Sequence, residues 1–217
     1  NPGVPRESKF LAIARRAGAQ IENEATLFVG LIGRERIIGI TGTRGKSTSA
    51  ALAAHLLRRK YLQTMLAGNI ATTPMFAVVD QARRTRGPVV LELSSWHLEN
   101  LGEQRWSPHV AVVTNLLADH LNRYSSLTSY AAAKANLVRF QTAADVAIVN
   151  LDNAVSRSMR RKTRANVVGY SLTRRAAPVR VRGGWLVAGQ RICPTTSLVL
   201  GGEHNLSNAL AAVAVAR

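Results

Sequence analysis

Short apolar runs and helical apolar repeats alternate along most of this chain. The runs at 26–29, 36–41, 63–67, 88–94 and 109–115, and Val146–Asn150, are largely apolar and short, as strands buried on both faces are. Between them apolar residues recur at helical spacing. A helix is expected over residues 7–17, and another from Lys46 to Lys60 with Leu52, Ala53, Leu56 and Leu57 on one face. Further helices are expected over 128–141 and 208–217. Such alternation predicts an α/β fold with a mostly parallel sheet flanked by helices. Residues 178–200 break the pattern. There Val179-Arg-Val-Arg-Gly-Gly-Trp-Leu-Val alternates about a Gly-Gly pair, which predicts a small antiparallel appendage.

Composition narrows the class. The 217 residues are enough for one large domain, or for one domain plus a piece of another. Hydrophobic residues make up 47% and the mean hydropathy is +0.01, as in soluble globular proteins. No segment approaches the roughly 18 uninterrupted apolar residues of a membrane span, so no membrane partner is expected. The first residues lack a signal-peptide layout, and the single cysteine, Cys193, rules out an internal disulfide framework. A reducing, cytoplasmic setting and a monomeric protein are expected. The start in a turn at Asn1-Pro2-Gly3 and the end within an apolar helix read as marks of a piece of a longer chain.

The net charge of +17 raises the question of nucleic acid. Its arginines gather at 83–86, 157–164 and 174–182, without interleaved aromatics and without a helix-turn-helix, zinc or RNA-binding signature. Solvated faces explain them better than a nucleic-acid partner does. Phosphorylated substrates would also gain from this field.

Candidate chemistry begins where the 36–41 run ends. Ile37-Ile-Gly-Ile-Thr-Gly-Thr-Arg-Gly-Lys-Ser-Thr48 is an apolar run, a glycine turn, a lysine with two hydroxyls, and a helix start. That order suits a P-loop-type phosphate site, with Gly42, Thr43 and Gly45 bringing backbone N–H groups close to phosphate oxygens. Lys46 would add a point charge, and Ser47 or Thr48 a hydroxyl for Mg²⁺. The strict P-loop spacing needs glycine where Ile40 stands, and the plainer account is a strand-to-helix turn with an exposed lysine. Other polar clusters also follow predicted strands, where open α/β sheets bind ligands. Glu92 interrupts an apolar run and needs a cation or a partner. Asp119-His120 is either a Mg²⁺ or acid–base pair or a loop with a local hydrogen bond. Lys134 sits among small and apolar residues and could simply snorkel. Asn205 and Asn208 open the last helix, as caps or as readers of a base edge.

Taken in order, these segments resemble the Mur ligase family. The family's G-T-N-G-K-S/T loop is matched by Gly42 to Ser47, its G-N-I-G turn by Gly68 to Ala71, and E-L-S-S-[FW]-Q-L-E by Glu92 to Glu99. D-H-L-D-R-Y followed by Y-x-x-A-K is matched by Asp119 to Tyr124 and Tyr130 to Lys134, and G-x-H-N-x-x-N-A-L-A-A by Gly202 to Ala212. The Glu92–Glu99 stretch is most similar to the D-glutamate-adding branch.

The resemblance implies an ATP-dependent amide-bond ligase of peptidoglycan precursor synthesis. Its partners would be UDP-N-acetylmuramoyl-L-alanine and glutamate, joined through an acyl phosphate. It further implies Lys46 on the β- and γ-phosphates, Ser47 or Thr48 on a first Mg²⁺, and Glu92 and His120 on a second. Lys134 matches a lysine carbamylated by CO₂ that supports this metal. Asn69, Ser94 and His97 match positions facing the UDP-sugar, and Asn205 and Asn208 lie near the nucleotide, Asn208 suited to adenine. Residues 1–35 match the last portion of an N-terminal UDP-binding domain and 36–217 a central ATP-binding domain. A C-terminal domain has no counterpart, so this stretch alone is expected to be inactive. The chain departs from the family at Arg44 (usually Asn), Ala71 (Gly), His97 (Gln) and Asn122 (Asp). Rival readings are a sibling Mur-type or folylpolyglutamate synthase-like ligase, an L-glutamate-adding variant, a basic ATPase acting on nucleic acid, and a non-catalytic nucleotide-binding module.

Overall fold

A computed structural model describes residue 4, residues 7–119 and residues 123–217. The elements run α1 (Lys9–Arg16), α2 (Glu24–Leu31), β1 (Ile37–Thr41), α3 (Lys46–Leu57), β2 (Met65–Gly68), α4 (Val79–Arg84), β3 (Val89–Glu92), α5 (Ser95–Glu103), β4 (Val110–Val113), α6 (Leu127–Arg139), β5 (Val146–Asn150), α7 (Ala154–Ser158), β6 (Asn166–Ser171), β7 (Val179–Arg182), β8 (Trp185–Ala188), β9 (Gln190–Pro194) and α8 (Glu203–Ala216). The strands form one sheet in the order β2-β3-β1-β4-β5-β6-β7-β8-β9. Pairing is parallel from β2 to β7 and antiparallel from β7 to β9. The parallel sheet and the antiparallel end match the expectation from the apolar pattern.

The central strands are buried on both faces, which is why their sequences read as runs rather than alternations. Ile37 faces a core built with α5 and α6, where Leu98, Leu101, Leu137 and Val138 pack. Ile38 and Ile40 face the other core, made by Ala50, Ala53, Ala54 and Leu57 of α3 and the Ala-rich α8. Small residues let α3 and α8 approach closely. The fully buried face of α3 is therefore Ala50, Ala53, Ala54 and Leu57, with Leu52 and Leu56 at its margins.

One reading from the pattern is corrected, and one strand was not anticipated. Residues 26–29 are not a strand but the middle of α2, which Asn23 and Thr26 start with a reciprocal capping box. Residues 166–171, which carry no clear run, form β6. Gly169 within it makes room for the Leu151 side chain.

Candidate active site

Adjacent strands β1 and β4 send their following connections in opposite directions, β1 toward β2 and β4 toward β5. Such a switch point opens a crevice at the C-terminal strand ends. The glycine turn lies there, and residues after β4 hold it. Thr43 N–H donates to Asn115 O at 2.7 Å. Arg44 N–H donates to Asn115 Oδ1 at 2.9 Å, and its carbonyl accepts from Thr114 Oγ1 and Asn115 Nδ2 at 2.9 and 3.1 Å. Glycine is needed on both sides of Arg44. Gly42 has φ 156° and a Cβ there would strike Thr114 Oγ1; Gly45 has φ 78° and a Cβ would strike Asn208 Oδ1. Gly45 is also the N-cap of α3, so the helix's first N–H groups face the turn.

Lys46 folds back, its Nζ donating to Thr43 O at 3.0 Å. One residue on, Ser47 Oγ donates to Glu92 Oε2 at 2.6 Å. Glu92 ends β3 and is 2% exposed; its other oxygen accepts from Asn69 Nδ2 at 3.4 Å. Asn69 N–H donates to Glu92 O, tying the turn after β2 to the same strand end.

Lys134 approaches from α6, beneath the sheet's C-terminal edge. It is 1% exposed, donates to Thr41 Oγ1 at 3.2 Å, and stands 4.8 Å from the Tyr130 ring centre. Burial pulls its pKa down, and Lys46 repels it further; Asp119 and Glu92 oppose this in part, leaving it at about 7. At neutral pH a large share of Lys134 is therefore the free amine.

A cavity of about 610 Å³ opens beside this cluster, lined among others by Asn23, Asn69, Trp96, His97 and Arg123. Its size suits a small organic ligand. Ser94 caps α5, its Oγ accepting from His97 N–H, while His97 Nδ1 accepts from Ser94 N–H at 3.5 Å. Burial lowers the His97 pKa against a raising influence of Glu24, so the ring is neutral. With Nδ1 accepting, the ring proton sits on Nε2. Arg123 bridges Glu99 at 2.8 Å and the Trp96 face at 5.4 Å.

The structure thus gathers Lys46, Ser47, Glu92, Asn69 and Lys134, with Ser94 and His97 in the adjoining cavity region. Thr48 lies in the first turn of α3. Asn205 and Asn208 stand on the other side of the glycine turn. Asn208 Oδ1 accepts from Ser49 Oγ at 3.3 Å, Asn208 Nδ2 donates to Asn205 Oδ1, and Asn205 Nδ2 donates to Gly201 O. His120 and Asn122 lie outside the described residues. Thr41, Thr114, Asn115 and Tyr130 went unnoticed in the sequence as site residues. Thr114 and Asn115 carried a usable signal, being polar residues at a strand exit.

Residues 40–216 match the Mur ligase middle domain. The chain belongs to the Mur ligase family. A relative from Roseiflexus sp. (strain RS-1), named UDP-N-acetylmuramoylalanine–D-glutamate ligase, is 37% identical over 234 residues, covering 100% of this chain and 49% of the relative. One of the same name from Streptococcus agalactiae is 33% identical over 218 residues, covering 100% of this chain and 47% of the relative. The chain spans about half the length of these relatives. Among solved Mur ligases, a UDP-N-acetylmuramoyl-L-alanyl-D-glutamate–2,6-diaminopimelate ligase superposes with a TM-score of 0.68 at 28% identity, over 88% of this chain and 45% of that one. MurF from Acinetobacter baumannii shares the fold, with a TM-score of 0.66 at 20% identity over 88% of this chain and 44% of that one.

Proposed function

We propose that this chain is the nucleotide-binding, carboxylate-activating part of an ATP-dependent ligase that joins D-glutamate to UDP-N-acetylmuramoyl-L-alanine. Residues 36–217 are its central ATP-binding domain and 1–35 the end of a UDP-binding domain. The observation that carries the reading is the Ser47–Glu92 pair at 2.6 Å, set between a glycine turn and a buried lysine.

The residues fit the groups the reading requires. A turn that excludes Cβ atoms at Gly42 and Gly45 leaves N–H groups and Lys46 to meet phosphate oxygens. A hydroxyl and a carboxylate, both oxygen donors, suit Mg²⁺. Ser47 would hold one ion; Glu92 with His120 would hold a second. Bound there, Mg²⁺ would neutralise crowded phosphate charge.

Each residue then has a task. Lys46, freed from Thr43 O, reaches the terminal phosphates. Glu92 orients Ser47 and Asn69. The substrate's carboxylate attacks the γ-phosphorus and ADP leaves; the amine of glutamate then attacks the acyl carbon and phosphate leaves. Lys134, with a pKa at about 7, can add its free amine to CO₂ and lose a proton, converting a buried cation into an anion. Asn69, Ser94 and His97 face the UDP-sugar, His97 as an Nε2–H donor. Asn205 and Asn208 lie toward the nucleotide, with Asn208 also holding the loop from behind.

Hydroxylamine trapping tests the activation step in the complete protein that carries this chain. With Mg-ATP and UDP-N-acetylmuramoyl-L-alanine but no glutamate, a hydroxamate should form, and Glu92→Gln should cut its yield at least ~100-fold. Equal yield from the variant would remove Glu92 from the site. No hydroxamate from the wild type would refute the acyl phosphate.

A further inference from the structure

β7, β8 and β9 form the far edge of the sheet, and their two faces differ. Val179 and Val181 pair with Ala188 and Leu186, and this face packs on α8. Directly opposed residues of antiparallel strands share a face. The other face therefore carries Arg180 opposite Val187, Arg182 opposite Trp185, and Arg191 opposite Val187 from β9. Two of these guanidinium groups are already held. Arg180 Nη1 donates to Ala177 O at 2.9 Å, and Arg191 lies 5.2 Å over the Trp185 ring. Holding them in advance lowers the entropy a ligand must overcome.

Two cavities, of about 360 and 600 Å³, adjoin on this edge and share Arg180, Arg182 and Gly183. Arg191 lines the first and Arg175 the second. No Asp or Glu occurs between Asn153 and Gly202, a stretch that holds ten Lys and Arg residues. Of the two carboxylates that flank the stretch, Asp152 is committed to the Leu172 N–H at 2.6 Å and the Thr173 hydroxyl at 2.8 Å, and Glu203 lies in the first turn of α8. Arginines gathered on one strand face repel one another, and a bound anion relieves that repulsion.

We propose that this arginine-lined face is a second anion site that binds a small ligand bearing several phosphates. Guanidinium forks match phosphate oxygens two at a time. The adjoining cavities have the size of small-molecule sites, and the single ring on the face is covered by Arg191, which leaves no platform for stacked bases. The site is separate from the glycine turn. β4, β5 and β6 lie between β1 and β7, which puts the two strands roughly 19 Å apart at the usual strand spacing.

The test is calorimetric titration of the full chain with inorganic triphosphate at about 0.15 M salt. Lys46→Ala weakens the glycine-turn site and leaves the second one to be read. That variant should still bind one triphosphate, and adding Arg180→Gln with Arg182→Gln should weaken this binding by about tenfold or more. Arg191→Gln should weaken it as well, and serves as the measure if the double replacement unfolds, as judged by circular dichroism. Absence of binding to Lys46→Ala, or an affinity unchanged by these arginine replacements, would overturn the site. Tighter binding to phosphatidylglycerol vesicles or single-stranded RNA than to triphosphate, lost in the same variants, would overturn its assignment to a small ligand.

Discussion

Lys134 shows how much a single buried side chain carries in this site. An ammonium at 1% exposure is costly, and burial with repulsion from Lys46 lowers its pKa from the ordinary 10.5 to about 7. Between those two pH values the unfolded chain holds a proton that the folded chain lacks, so this residue makes stability rise with pH across that window. Below about pH 7 the full penalty applies. Lys134→Met should therefore raise the unfolding free energy measured by urea titration at pH 6, by up to a few kcal/mol, with the gain fading toward pH 10. A difference that does not change with pH would mean that the lysine stays charged throughout. Residues of this kind were legible in the sequence because a charge amid apolar neighbours demands an explanation; Glu92 within β3 is the other case. Thr41 was not legible. Nothing in an apolar strand marks one threonine as the hydrogen-bond partner of a lysine 93 positions away.

At the scale of elements, the site depends on strand ends held in register by polar anchors far from it. Asp145 precedes β5 and is 1% exposed. Burial raises its pKa, but hydrogen bonds from Arg34, the Thr142 N–H, His109 and the Thr142 hydroxyl outweigh this and bring it to about 2. It ties the entry to β5 to the residue before β4 and to the turn before β1. Its stabilising contribution is complete above the ordinary 3.8 and disappears as pH falls through about 2. Asp145→Ala should cost about 2–4 kcal/mol in urea unfolding at pH 7, with the deficit closing between pH 4 and 2. A constant deficit over that range would assign the loss to packing instead of charge. The apolar pattern located most elements because buried parallel strands and Ala- and Leu-rich helices have distinct periods. It failed at α2, where Thr-Leu-Phe-Val reads as a strand until Asn23 and Thr26 are seen as caps, and at β6, whose glycine and half-exposed start dilute the run.

Across the whole molecule, charge is divided between the two ends of the sheet. The cavity beside β2 and β3 mixes Glu22, Glu24, Glu99 and Glu103 with Arg15 and Arg123, whereas the β7–β9 end has arginine without acid. A sequence reading sees the +17 and the arginine runs, but only the strand register sets Arg180, Arg182 and Arg191 on one face. Likewise, the sequence marks the glycine turn, Glu92 and Lys134 one by one, and the fold brings Ser47 against Glu92 and sets Lys134 on Thr41 at the same strand ends. No helix among the described residues is long and apolar enough to cross a membrane. Phosphate release by the complete protein reports on the proposed ligase reaction itself. With Mg-ATP, UDP-N-acetylmuramoyl-L-alanine and D-glutamate, release should require all three and should fall sharply when L-glutamate replaces the D-enantiomer. Release that continues without the UDP-sugar, or none with either enantiomer, would contradict it.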